Sequence, residues 1–316
     1  MDLDTLPVLS LADAPDALAR DLGDSFRTFG FAMVSDHGLD PALVACAWDL
    51  TAQFFALPEA EKRSYLIPGQ GGARGYTAFG TEIAKGAKAH DLKEFWHVGR
   101  DLPPKPDGGA HPLADSMPPN VWPARPAGFR DTFEALYVDL DRVGATILNR
   151  IAVWLGLDEH WFDPAIADGN SVLRLLHYPP VPNAEGGAIR AGAHEDINLI
   201  TLLLGAEEAG LELLTKNGKW LAVDPPEGAL VVNIGDMLQR LTNHVLPSTT
   251  HRVLNPHGER ARHSRYSMPF FLHLRSDFPF VTLPQCVTAA NPDKYPVSIT
   301  ADDYLQERLR EIGLKA

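Results

Sequence analysis

Leu211-Glu212-Leu213-Leu214-Thr215-Lys216-Asn217-Gly218-Lys219-Trp220-Leu221-Ala222-Val223 reads as two β-strands folded about a tight turn. Asn-Gly supplies the positive φ angles of a short hairpin turn, and the apolar runs on either side supply the strands. Runs of the same kind lie outward from it, at 172–178, 197–204, 229–234, 251–254 and 265–274, punctuated by Gly, Pro, Asn and Asp. Seven or eight short strands at such spacing predict an antiparallel sandwich or jelly roll over about residues 170–275. The expected class is mainly β: a double-stranded β-helix (jelly roll) core with N-terminal and flanking α-helices.

Upstream, the period changes from two to 3.6. Leu18, Leu22, Phe26 and Phe29 predict a helix over 12–29; Gly30 stops it, and Phe31-Ala32-Met33-Val34 reads as a strand. Pro41 opens a second helix through residue 55. Eight prolines between residues 102 and 126 forbid helix or central strand there, so this stretch is a long irregular connection. It divides the chain into an N-terminal region, 1–125, and a body, 126–316. The body opens with the longest helical period, at 129–157, marked by Phe133, Leu136, Leu140, Val143, Ile147, Ile151 and Trp154. That stripe is expected to lie against the outer face of a sheet. A last helix is expected at 301–312.

With 41 acidic and 28 basic residues the net charge is −13, and no Lys/Arg run occurs. A partner rich in phosphate needs a basic face, so neither nucleic acid nor a membrane surface is expected. Cys46 and Cys286 form no C-x-x-C unit, which excludes a disulfide scaffold and a thiolate zinc site. The first residues carry no signal-peptide pattern, and no apolar run spans a bilayer. The expected protein is cytoplasmic, a monomer or weak oligomer acting on a small-molecule substrate.

Chemistry concentrates in the body. In His194-Glu195-Asp196, residues i and i+2 of extended chain share a face, so one ion could take both side chains. The triplet alone also fits a loop with a polar His and a capping Asp. His251, which opens a predicted strand, fits as a third ligand. Two imidazoles and one carboxylate leave coordination positions open, as suits non-haem Fe(II) and O2. A zinc hydrolase would need a general base besides. His177, His244, His257 and His263 read as surface or hydrogen-bonded residues. Arg265 and Ser267 share one face of a strand and can grip a carboxylate, the guanidinium with two prongs; the plainer alternative is an edge-strand Arg. The glycines at 69, 71, 72 and 75 form no phosphate loop, and no G-x-S-x-G elbow occurs.

In this light the chain resembles the isopenicillin N synthase-like branch of the Fe(II)/2-oxoglutarate-dependent oxygenases, over nearly its whole length. The matching residues begin with Phe29-Gly30-Phe31, Asp36-His37-Gly38, Phe54-Phe55, Leu57-Pro58, Lys62, Arg74-Gly75-Tyr76 and Lys93-Glu94. They continue with His194-x-Asp196, Thr201-Leu202-Leu203, Gly210-Leu211, Trp220-x-x-Val223-x-Pro225 and Val232-Asn233-Ile234-Gly235-Asp236. Asn243, Ser248-x-x-His251-Arg252-Val253 and Arg265-x-Ser267-x-Pro269-Phe270-Phe271 complete the series.

The resemblance implies that His194, Asp196 and His251 ligate iron. It implies that Arg265 and Ser267 bind the distal carboxylate of 2-oxoglutarate with help from Tyr178, and that His37 is structural. Many plant members carry Asn-Tyr-Tyr-Pro where this chain has Leu176-His177-Tyr178-Pro179, which leaves the metal-side carboxylate of 2-oxoglutarate to another partner or to water. The reaction implied uses O2: one oxygen atom enters succinate, CO2 leaves, and a substrate C–H bond is oxidised by hydroxylation, desaturation or ring closure. Two alternatives are an oxidase of the same family that uses no 2-oxoglutarate, and a non-catalytic jelly-roll protein that binds a carboxylate. Tyr76, Phe79, Phe95, Trp96 and Phe271 are expected at the active-site mouth by family position.

Overall fold

In the computed structural model, which describes residues 5–69, 72–81, 91–103, 107, 111, 113, 116–180, 190–205, 210–255 and 261–311, the chain opens with strand β1 (Val8–Ser10) and helix α1 (Pro15–Phe29). Pro15 occupies the first turn of α1, where its missing N–H has no partner to lose. Gly30, at φ 70°, ends the helix and donates its N–H to the Phe26 carbonyl at 2.8 Å. β2 (Phe31–Ser35) follows, then α2 (Pro41–Phe55), whose cap Asp40 accepts from the Ala42 N–H at 2.8 Å. α3 (Glu59–Arg63), β3 (Gly75–Thr77) and β4 (Glu94–Gly99) precede the proline-rich connection. Beyond it come α4 (Phe129–Trp154), α5 (Asp163–Ile166), β5 (Val172–Tyr178), β6 (Ala191–His194), β7 (Ile200–Leu204), β8 (Leu211–Leu214), β9 (Trp220–Ala222) and β10 (Leu230–Ile234). α6 (Asp236–Leu241), β11 (His251–Val253), β12 (Arg265–Leu272), β13 (Pro279–Phe280), β14 (Ile299–Thr300) and α7 (Ala301–Glu311) complete the described elements.

The larger sheet has the order β1-β2-β10-β7-β12-β5-β4-β3, and the smaller β6-β11-β8-β9. Every pairing within them is antiparallel except β1 with β2. This is the expected jelly-roll core. Strands β3, β4 and β6 have no counterpart in the sequence reading, and β1 to β4 carry the larger sheet into the N-terminal region. Gly71, His257 and Ile312 fall outside the described residues. No helix among the described residues is long and apolar enough to cross a membrane.

Alternation along the strands gives the larger sheet two apolar faces. Leu202, Leu204, Val232, Phe270, Leu173 and Trp96 belong to an outer core shared with α1, α2 and α4. Phe31, Met33 and Val231 pack inward with Leu213, Val223 and Val253, filling one end of the space between the sheets. The α4 stripe is buried as expected from Phe133 to Ile151, while Trp154 is only partly covered and lies over Gly23 of α1. α4 approaches the sheet closely at Gly144: a Cβ there would stand 2.4 Å from Leu272 Cδ1 and would displace that side chain.

On the outer face of β4, Glu94 is the hub of a buried polar network. Lys62 Nζ donates to its two oxygens at 2.9 and 2.7 Å, His177 Nδ1 donates at 2.7 Å, and the Tyr76 hydroxyl donates as well. Burial raises the Glu94 carboxyl, but these donors outweigh it and hold it below the usual range. The network ties α3, β3, β4 and β5 together. Glu94→Ala leaves the buried Lys62 ammonium with only the half-exposed Glu59 carboxylate, 3.3 Å away, an effect toward the low end of the about 3–5 kcal/mol that breaking a buried pair costs. The expected result is a markedly lower urea midpoint for unfolding than in Gln53→Ala, which removes an exposed amide.

Candidate active site

Two strands of the smaller sheet bring the imidazoles together. His194 ends β6, His251 begins β11, and the two are direct antiparallel partners, with ring centroids 4.4 Å apart. Each ring is oriented by its own backbone: His194 Nδ1 donates to the Gly192 carbonyl at 2.7 Å, and His251 Nδ1 to that of Thr249 at 3.1 Å. A carbonyl only accepts, so Nδ1 carries the proton and the Nε2 lone pair is left for a ligand bond. Burial, reinforced by His251, pushes the His194 imidazole down to about 4, which keeps it neutral near pH 7.

Asp196 lies two residues past the end of β6, and its carboxylate reaches the same point as the His194 imidazole, as the i, i+2 spacing predicts. Its Oδ1 stands 3.7 Å from each Nε2, and one donor atom from each of His194, Asp196 and His251 lies within 4.8 Å of the others. Its Oδ2 is occupied, accepting from the Thr201 hydroxyl at 2.5 Å and the Asn233 amide at 2.8 Å. Thr201 accepts in turn from Asn198 Nδ2 at 2.8 Å. Burial raises the Asp196 carboxyl, but His251, His194, Thr201 and Asn233 together hold it below its ordinary range. The donor set is therefore two imidazoles and one single-oxygen carboxylate, which fits Fe(II) with coordination positions to spare. Thr201 and Asn233 were not assigned from sequence. The available signal was a polar pair at facing positions, Asn233↔Thr201, in two otherwise apolar strands.

Arg265 and Ser267 lie on the inner face of β12, opposite Tyr178 and Leu176 of β5. Phe271 continues that face and pairs with Thr201, so the Asp196 hydrogen bonds and the Arg265 side chain share one interior. Arg265 is 4% exposed and its Cζ stands 5.1 Å from the Tyr178 ring; Ser267 is 2% exposed. A buried guanidinium beside a hydroxyl, walled by Phe95, Leu176 and Tyr178, fits a carboxylate of 2-oxoglutarate.

The aromatic expectation is corrected in part. Phe95 and Phe271 face the interior. Tyr76 and Trp96 face the opposite way, into the core with Phe54, because β3 and β4 alternate. Phe79 is exposed. Sequence reasoning also missed Arg174. Its guanidinium lies 4.3 Å from the Phe95 ring and 5.2 Å from that of Phe271, with Nε donating to His97 Nε2 at 2.5 Å. His37 bonds the Gly228 carbonyl at 2.7 Å, away from the ligand cluster.

Comparison with known proteins agrees with this geometry. Residues 2–125 match the family described as non-haem dioxygenase in morphine synthesis N-terminal, and residues 169–274 match the 2OG-Fe(II) oxygenase superfamily. A 2-oxoglutarate-Fe(II) type oxidoreductase, hxnY of Emericella nidulans, is 33% identical over 92% of this chain and 83% of its own. The structure of a 2OG-Fe(II) oxygenase family protein from Caulobacter crescentus superposes with a TM-score of 0.90 at 54% identity, covering 98% of this chain and 99% of that one. A full-length Neurospora crassa protein, crystallised in complex with alpha-KG (2-oxoglutarate), gives 0.84 at 29% identity, covering 96% and 95%.

The chain belongs to the 2OG-Fe(II) oxygenase superfamily. It is an oxidoreductase of the dioxygenase type whose cofactor is Fe(II) and whose cosubstrates are 2-oxoglutarate and O2.

Proposed function

We propose that His194, Asp196 and His251 hold the iron, that Arg265, Ser267 and Tyr178 hold 2-oxoglutarate, and that the enzyme oxidises a C–H bond of a small molecule seated against Phe95, Phe271 and Arg174. The supporting observation is the division of labour at Asp196. Thr201 and Asn233 engage Oδ2 and leave Oδ1 toward the two imidazoles, so the carboxylate serves as a one-oxygen ligand. Bound Fe(II) supplies O2 activation coupled to oxidative decarboxylation of 2-oxoglutarate. The protein supplies orientation. Arg265 balances the distal carboxylate in a site where an unpaired anion would cost several kcal/mol. Phe95 and Phe271 exclude water beside it, and Arg174 offers donors to a substrate acceptor between two aromatic rings. The Neurospora crassa protein has also been crystallised with thymine, and a planar molecule of that size with carbonyl acceptors suits such a wall.

With this reading go a division of the chain near residue 125, a cytoplasmic location, and a monomer or weak oligomer without nucleic-acid or membrane partners, in keeping with the charge of −13. The test is a panel of small planar molecules incubated with enzyme, Fe(II) and 2-oxoglutarate. Succinate should rise in step with a product that has gained one oxygen or lost two hydrogens. Product formed without consumption of 2-oxoglutarate would replace this reading by the oxidase.

A further inference from the structure

The start of β12 is held from the outer face of the larger sheet. Tyr266 faces outward there, opposite His177 of β5, while their chain neighbours Arg265 and Tyr178 form the adjoining inward pair. The two outward rings are stacked, with centroids 4.9 Å apart at 16°. Phe55 of α2 closes the cluster, 5.2 Å from His177 and 6.4 Å from Tyr266.

His177 uses both ring nitrogens. Nδ1 donates to Glu94 Oε1 at 2.7 Å, and Nε2 lies 2.9 Å from Ser264 Oγ. A carboxylate only accepts, so Nδ1 keeps the proton and Nε2 of the neutral ring accepts from the Ser264 hydroxyl. The Tyr266 hydroxyl bonds Ser264 as well. Glu94 is in turn fixed by Lys62 and Tyr76. The series Lys62, Glu94, His177, Ser264 therefore runs from α3 to the residue directly before Arg265 without entering the interior. From the side of Tyr178, Arg190 Nη2 donates to the His263 carbonyl at 3.3 Å. The chain entering β12 is thus tied from both faces. A two-pronged grip on a carboxylate is geometrically exacting, so the setting of the Arg265 backbone bears on how well its guanidinium meets one.

We propose that His177 is a positioning residue for 2-oxoglutarate: through Ser264 it fixes the start of β12 and so holds Arg265 toward the distal carboxylate. This rests on the 2-oxoglutarate reading above.

The experiment titrates anaerobic Fe(II) protein with 2-oxoglutarate, follows the metal-to-ligand charge-transfer band, and measures iron affinity and the urea midpoint of each variant. His177→Phe keeps a ring beside Phe55 and Tyr266 but makes neither hydrogen bond. It should bind iron as wild type does and 2-oxoglutarate about three- to tenfold more weakly, the scale of one hydrogen bond. Ser264→Ala should show the same loss, and Ser264→Thr, which keeps the hydroxyl, should show none. The double variant His177→Phe/Ser264→Ala should lose no more than either single one, because both remove the same link. If His177 only stabilises the fold, the urea midpoint falls and the 2-oxoglutarate constant stays in place; that result overturns the proposal. So do losses that add in the double variant, a loss shared by Ser264→Thr, or an equal loss of iron affinity. If His177→Phe does not fold, the two Ser264 variants decide alone. Absence of the band in iron-loaded wild type removes the 2-oxoglutarate reading itself, whereas a wild-type band with unchanged affinity in the variants removes the His177 role alone.

Discussion

Asp196→Ala is expected to abolish stoichiometric Fe(II) binding and with it all turnover. Loss of a partner that merely orients a ligand typically costs 10- to 100-fold in metal affinity, and here the proposed ligand itself is removed. The only negative charge among the three donors disappears, leaving two imidazoles to compete with water for a dication. The Thr201 hydroxyl and Asn233 amide also lose their acceptor, and both residues are buried. Iron content after equilibrium dialysis should fall from one per chain to near zero, while β-sheet circular dichroism is retained because Asp196 lies outside the strands. An Asp196→Ala protein that turns over at the wild-type rate would place the metal centre elsewhere.

Arg265→Gln is expected to separate the two cofactor sites. Gln keeps a donor near Ser267 and Tyr178 but removes the charge proposed to balance the distal carboxylate. Charged hydrogen bonds contribute about 1.5–3 kcal/mol, so 2-oxoglutarate should bind about 10- to 150-fold more weakly. Iron affinity should stay within about twofold of wild type, because no ligand atom changes. The readout is the ratio of the two dissociation constants, measured on one preparation. Parallel loss of iron would mean that Arg265 supports the sheet rather than the cosubstrate.

The legible and illegible parts of this molecule differ in the distance over which their causes act. Local signals set α1, α2 and β8-turn-β9: Pro15 with Gly30, Asp40 with Pro41, and Asn217-Gly218 each act within a turn. β4 is illegible because Glu94-Phe95-Trp96-His97 alternates charge and aromatics in a way that no half-solvated strand does. Its polar residues are buried on partners 18 to 83 positions away, Tyr76 and His177 among them. β6 is illegible because Ala191-Gly192-Ala193 carries no apolar alternation; its place comes from pairing with β11.

The proposed ligand set is legible as residue types and spacing. His194 ends β6 and Asp196 lies just past it, and the two side chains converge as the i, i+2 spacing predicts. Arg265 and Ser267 follow strand alternation as expected, because β12 is long and regular. Arg174 sits in a predicted strand, but its role depends on Phe95, His97 and Phe271 of two other strands, β4 and β12, and nothing near it in sequence announces them.

Chelation of iron by 2-oxoglutarate in this interior is the step on which the proposed chemistry depends. Anaerobic wild-type protein loaded with one Fe(II) per chain, titrated with 2-oxoglutarate, should develop a visible metal-to-ligand charge-transfer band that saturates at one cosubstrate per iron. No band at millimolar 2-oxoglutarate, in protein whose iron content is confirmed, would contradict it.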